Sequence, residues 1–108
     1  MLFLEPPPQY DHPYRGQVLE QRLSSLRIIQ LCHGPTRACS WVSNGVCHIA
    51  LPQDEKDGRL IALMRRHEIG HCNGWPSTHK DGRRVEYDDD KHRLTPKQTP
   101  GHLNVTLF

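Results

Sequence analysis

The chain has 108 residues, of which 35% are hydrophobic and 24% charged, with a net charge of +2 when histidine is neutral. That length bounds it to one domain with one modest core. The charge is too weak and too dispersed for a nucleic-acid surface, which needs a clustered basic stripe, and no apolar run approaches the length of a membrane span.

Residues 1–16 hold Pro6, Pro7, Pro8 and Pro13, with Tyr10, Asp11, His12 and Tyr14 between them. This composition predicts an extended N-terminal arm, either lying on the domain or loose in solvent. The opening Met1–Pro6 shows neither the charged start nor the apolar stretch of a signal peptide. Val18–Leu23 reads as a short strand, with the first turn of a helix as the alternative. Ser24 and Ser25 each offer an N-cap for a helix whose apolar stripe is Leu26, Ile28, Ile29, Leu31 and Cys32, closed by Gly34 and Pro35.

Ser40–Ser43 and Val46–Leu51 flank Asn44-Gly45. Asn-Gly between β-prone runs is a strong hairpin signal, because both turn residues must take positive φ. Pro52 ends the second strand. Asp54 or Asp57 can cap the next helix, which runs through Leu60, Ile61, Leu63 and Met64 to His71 with a broad apolar face. A strand beside that helix offers an edge to which an extended peptide can pair.

The helix ends in His67-Glu68-Ile69-Gly70-His71-Cys72-Asn73-Gly74-Trp75-Pro76-Ser77-Thr78-His79. Residues four apart on a helix share a face, so the imidazoles of His67 and His71 can reach one metal ion. Glu68 can aim its carboxylate at water beside that metal without being a ligand. Gly74 suits a left-handed helix end, Pro76 stops the helix from resuming, and the turn brings round His79 as a third ligand. Three protein ligands and one open position are the arrangement of a catalytic zinc site. Eight histidines in so short a chain favour metal binding in general. A structural zinc site is the competing reading, but such sites favour cysteine ligands, and the chain has no Cys-x-x-Cys pair.

This stretch resembles the zincin metalloproteases, and within them the metzincins, over 13 of the 108 residues. The resemblance implies zinc-dependent hydrolysis of peptide bonds, with Glu68 as general base and His67, His71 and His79 on the metal. The chain departs from the metzincin pattern in two ways. Ser77 stands where the metzincin third histidine falls, and both methionines, Met1 and Met64, precede the motif, so the Met-turn has no counterpart. Other zincins use a later carboxylate as third ligand, which makes Glu86 and the Asp88–Asp90 run rivals to His79. Tyr87 is a candidate transition-state donor by the same analogy. His48, on a hairpin strand, reads as a strand residue rather than a ligand.

Beyond His79 the chain is polar through Arg84, then irregular around Pro96 and Pro100, and Leu103–Phe108 alternates like a final strand. Cys32, Cys39, Cys47 and Cys72 permit three pairings. Cys39–Cys47 across the hairpin with Cys32–Cys72 is one arrangement, and four reduced, buried thiols are the alternative. Bridged cysteines imply a secreted or periplasmic protein. The expected fold is α+β: a small, twisted, mostly antiparallel sheet packed on the active-site helix, with one further helix. Residues 17–108 form the single zincin-like domain. The expected partner is a peptide or protein substrate. A zinc amidase acting on cell-wall or other amides, and a non-catalytic zinc-binding interaction module, are the alternative functions.

Overall fold

The computed structural model describes residues 2–86. Tyr87, Asp88–Asp90 and the expected Leu103–Phe108 strand lie outside those residues. The fold is α+β, with the order β1 (Leu2–Glu5), β2 (Val18–Leu23), α1 (Ser25–Cys32), β3 (Cys39–Ser43), β4 (Val46–Pro52), α2 (Gly58–Cys72) and β5 (Arg83–Glu86). No helix is long and apolar enough to cross a membrane among the described residues.

The strands form two sheets rather than the single sheet expected. One has the order β2-β4-β3, and the other pairs β1 with β5. In the first, β3 and β4 are antiparallel and make the hairpin, with Asn44 at φ 52° and Gly45 at φ 77°. These are the two positive values that a tight two-residue turn demands. β2 runs parallel to β4, from Val18 opposite Cys47 to Leu23 opposite Pro52. The second sheet exists because the N-terminal arm docks. Leu2 to Glu5 pair antiparallel with Glu86 to Arg83.

β4 is the central strand, and Cys47, Ile49, Ala50 and Leu51 are fully buried on it. α2 lies against β3, β4 and β1. It contributes Leu60, Ile61 and Met64 to a core completed by Phe3 and Ala38. Phe3 comes from the arm, so arm docking is driven by the burial of a large aromatic side chain, worth roughly 2–3 kcal/mol. Pro6 and Pro7 follow it into the interior. A chain segment rich in proline has little entropy to lose on docking.

α1 is capped by Ser24, whose hydroxyl accepts from the Arg27 N–H at 3.2 Å, and it ends at His33 in a left-handed conformation. Of its expected apolar stripe only Ile28 is buried, while Leu26, Ile29 and Leu31 are exposed. The helix has eight residues, and Ile28 is the one it buries. Its far end is held instead by a disulfide.

The cysteines pair as Cys32–Cys39 and Cys47–Cys72. This replaces the expected Cys39–Cys47 and Cys32–Cys72 arrangement. The hairpin register explains the difference, since Cys39 lies opposite Ala50 and Cys47 opposite Val42. The two are therefore three rungs apart on the ladder, beyond disulfide reach. Cys39 instead takes the end of α1, and Cys47 takes the last residue of α2.

Candidate metal centre

The local sequence builds the centre from both ends of α2. Asp57 caps its start, accepting from the Arg59 N–H at 2.9 Å. At its end the N–H of Gly74 bonds the His71 carbonyl and the N–H of Trp75 bonds the Gly70 carbonyl, each at 3.0 Å. This paired closure needs a left-handed residue at its hinge, and Gly74 supplies it at φ 112°. Past Pro76 the chain turns once more, with the His79 N–H on the Pro76 carbonyl at 2.9 Å. His79 itself has φ 61°. A histidine held in the left-handed region stores local strain of the kind that gathers at functional sites.

The result is a triangle of imidazole nitrogens. Nε2 of His67 lies 3.1 Å from Nε2 of His79, and Nε2 of His71 lies 3.2 Å from each of them. The three side chains form a group able to hold a metal ion. Ligand nitrogens about 2.0–2.1 Å from a tetrahedral zinc are separated by roughly 3.3 Å, so the spacing fits. The tautomers sharpen the fit. Nδ1 of His67 donates to the Leu4 carbonyl at 2.6 Å, and Nδ1 of His71 donates to the Trp75 carbonyl at 2.8 Å. A carbonyl can only accept, so both rings carry their proton on Nδ1 and turn a lone pair inward at Nε2. Two lone pairs meeting at 3.2 Å repel unless a cation lies between them.

Trp75 is the pillar of the cluster. Its ring stacks on His71 at 4.7 Å with a 16° tilt. It meets His67 and His79 edge-on, at 4.9 and 5.1 Å. It is 2% exposed, and its indole N–H donates to the Lys80 carbonyl at 2.9 Å. One side chain thus fixes the planes of all three imidazoles.

Glu68 is 1% exposed and faces the same cleft as His71 and His79, a space of about 350 Å³ also walled by Ser40, Trp75 and Ser77. Its Oε1 accepts from the Ser40 hydroxyl at 2.7 Å. Its Oε2 is buried without a protein partner. Burial pushes the carboxyl up to about 7, with the Ser40 bond opposing. Burial pushes His67 the other way, down to about 3, opposed by the Leu4 hydrogen bond and assisted by the neighbouring His71 and His79. Both shifts have one physical cause, which is that a charge removed from water is disfavoured whatever its sign.

The N-terminal arm forms the rear wall. Besides Leu4, it presents Pro6 to Gly70, where an added Cβ would collide with the proline ring. Asn73 donates through Nδ2 to the carbonyls of Tyr10 and His12, at 3.0 and 2.7 Å. Arg66 bonds Asp11 and Glu5, and Arg83 bonds Asp11 and the Pro6 carbonyl. These pairs are partly exposed and individually weak. As a network around one arm they fix its register.

Of the residues expected from sequence, His67, His71 and His79 come together, with Glu68 beside them. Glu86 does not join them, being exposed at the end of β5 opposite Leu2. His48 stacks on Trp41 across the hairpin, with ring centres 5.2 Å apart. Ser40, the Leu4 carbonyl and the pillar role of Trp75 were not expected. A serine within a β-prone run and a backbone carbonyl carry no sequence signal, whereas a tryptophan inside the motif does. Comparison with protein-family models, curated proteins and solved structures finds no match for this chain.

Proposed function

We propose that this chain is a zinc-dependent metallopeptidase of minimal zincin-like design. The observation that carries the reading is the meeting of three Nε2 atoms with a buried carboxylate whose Oε2 has no protein partner. Three neutral nitrogen donors at tetrahedral spacing suit zinc better than oxygen-seeking magnesium or calcium. A structural site has no need of a buried glutamate lining the same cleft.

A zinc ion held by His67, His71 and His79 supplies Lewis acidity toward a carbonyl oxygen and toward water. The residues supply the rest. Glu68 takes a proton from the attacking water at Oε2 and returns it to the departing amine. The Nδ1 bonds to Leu4 and Trp75 fix the tautomer of both histidines and aim their Nε2 atoms at one point.

Peptide is the favoured substrate because β3 is, among the described residues, an outer strand of its sheet at the cleft. Ser43 and Val46 flank the two-residue turn and so exchange both hydrogen bonds, as do Trp41 with His48 and Cys39 with Ala50. The N–H and C=O of Ser40 and Val42 therefore point away from β4, toward an added strand. The two disulfides suit an oxidising compartment such as a secreted or periplasmic setting.

The test is metal content and turnover together. Purified protein should hold one zinc per chain and cleave an unfolded protein such as casein. Glu68→Gln should keep the zinc and lose turnover by about 10²–10⁴. A chain that binds no zinc, or a Glu68→Gln variant as active as wild type, overturns the reading.

A further inference from the structure

We infer that Ser40 is a positioning residue for the general base, fixing which oxygen of Glu68 is left to take a proton and tying that choice to the strand on which the substrate docks. The inference rests on the peptidase reading above and adds a second element to it.

Ser40 lies on β3 and Glu68 on α2, 28 residues apart. The serine Oγ sits 2.7 Å from Glu68 Oε1 and 3.2 Å from the Glu68 backbone carbonyl. A hydroxyl has one hydrogen to give, and the shorter contact is the stronger. That bond occupies Oε1. Oε2 is then the oxygen left to exchange a proton, and it is the one buried without a protein partner. A carboxylate on rotatable bonds would otherwise present either oxygen in several orientations. Fixing the acceptor atom before reaction removes that freedom from the barrier.

The placement on β3 adds the coupling. Side chains stand perpendicular to a sheet, while backbone groups lie in its plane. Ser40 thus sends its hydroxyl to the base, and its N–H and C=O to the edge away from β4, where a substrate strand would pair. Register of the peptide and orientation of the base are set by the same residue. Removing the hydroxyl leaves the backbone edge intact, so the loss falls on kcat and not on KM.

The experiment compares zinc-loaded full-length wild type, Ser40→Ala, Ser40→Thr and Ser40→Val on one peptide that wild type cleaves, with Glu68→Gln as control. Thr and Val match in shape and differ only by the hydroxyl, so their comparison stands even if the Ala variant fails to fold. The expected result is that S40A and S40V lose roughly ten- to a hundredfold in kcat. KM and zinc content stay at wild-type values, and S40T recovers most of the rate. Equal kcat for S40T and S40V overturns the inference, as does a loss shared by KM or zinc content that Thr does not rescue. If E68Q retains turnover, the peptidase mechanism itself fails, whatever the serine variants do. Zinc-loaded wild type that cleaves nothing overturns both.

Discussion

The backbone carbonyl of Leu4 accepts the Nδ1 proton of His67 at 2.6 Å across 63 residues of chain. The arm thereby sets the tautomer of a histidine in the candidate metal centre. Phe3, one residue earlier and 2% exposed, is the anchor that holds the carbonyl in place.

Phe3→Ala should therefore act on metal affinity as well as on stability. Truncating a buried phenylalanine costs about 3–5 kcal/mol. Loosening an outer partner of a ligand weakens metal binding roughly 10- to 100-fold. Competition titration against a zinc chelator measures the second effect, and thermal melting the first. Unchanged zinc affinity in a folded variant would show that the arm does not support the site.

Zinc should stabilise the fold by mass action, by about 4 kcal/mol at a concentration a thousandfold above its Kd. His79→Ala should reduce that gain by weakening binding roughly a hundredfold or more, since losing an outer partner alone costs up to that much. Melting curves with and without chelator read both. Undiminished zinc stabilisation in the His79→Ala variant would place the third ligand elsewhere.

The metal-free protein should show two opposing pH dependences. His67 is held neutral down to about 3, against an ordinary 6.5, so between these values the unfolded chain binds the extra proton. Stability then falls as pH drops from about 6.5 toward 3. Glu68 is raised to about 7 from 4.5, so between these values the folded chain binds the extra proton. Stability then falls as pH rises from 4.5 toward 7. Across pH 4.5–6.5 the two slopes work against each other. Glu68→Gln removes the second, and its melting temperature in chelator should climb with pH through this window more steeply than that of wild type. Parallel profiles would contradict the burial of one of these groups as a charge-free species.

Gly70→Ala should displace the arm. The new methyl would run into the ring of Pro6, whose Cβ would stand only 2.7 Å away. The expected loss is about 1–3 kcal/mol, accompanied by faster proteolysis within residues 3–13. A variant as stable as wild type would mean that the proline moves aside without cost.

Cys47→Ala with Cys72→Ala should cost about 3 kcal/mol, from the loop of chain that the bridge closes. Cys72 directly follows His71, so zinc affinity should fall with it. Chelator competition on the double variant and on wild type compares the two.

Much of the centre was legible in the chain because it is local. His67 and His71 are a helical turn apart, Asn44-Gly45 dictates its own turn, and Gly74 and Pro76 punctuate the helix end. What escaped was set by packing between distant segments. Whether residues 2–5 dock depends on finding β5 as a partner. The disulfide pairing depends on a hairpin register that puts Cys39 opposite Ala50. The apolar stripe of α1 was real in sequence, yet only Ile28 found a surface to cover it. Ser40 reaches Glu68 only because β3 lies against α2.

The arm's contacts also bear on the order of events as the chain folds. Leu4 to His67 spans 63 positions, and Arg83 to the Pro6 carbonyl spans 77. Contacts so far apart in sequence form slowly, because a long loop must close before they give any return. The hairpin and the two helices can form early from their own neighbourhoods. The three histidines come from one local stretch, but His67 gains its Leu4 partner only when the arm has met α2. Tight zinc retention would then report that folding has finished, and a half-folded chain would hold zinc through histidines that the arm does not yet orient.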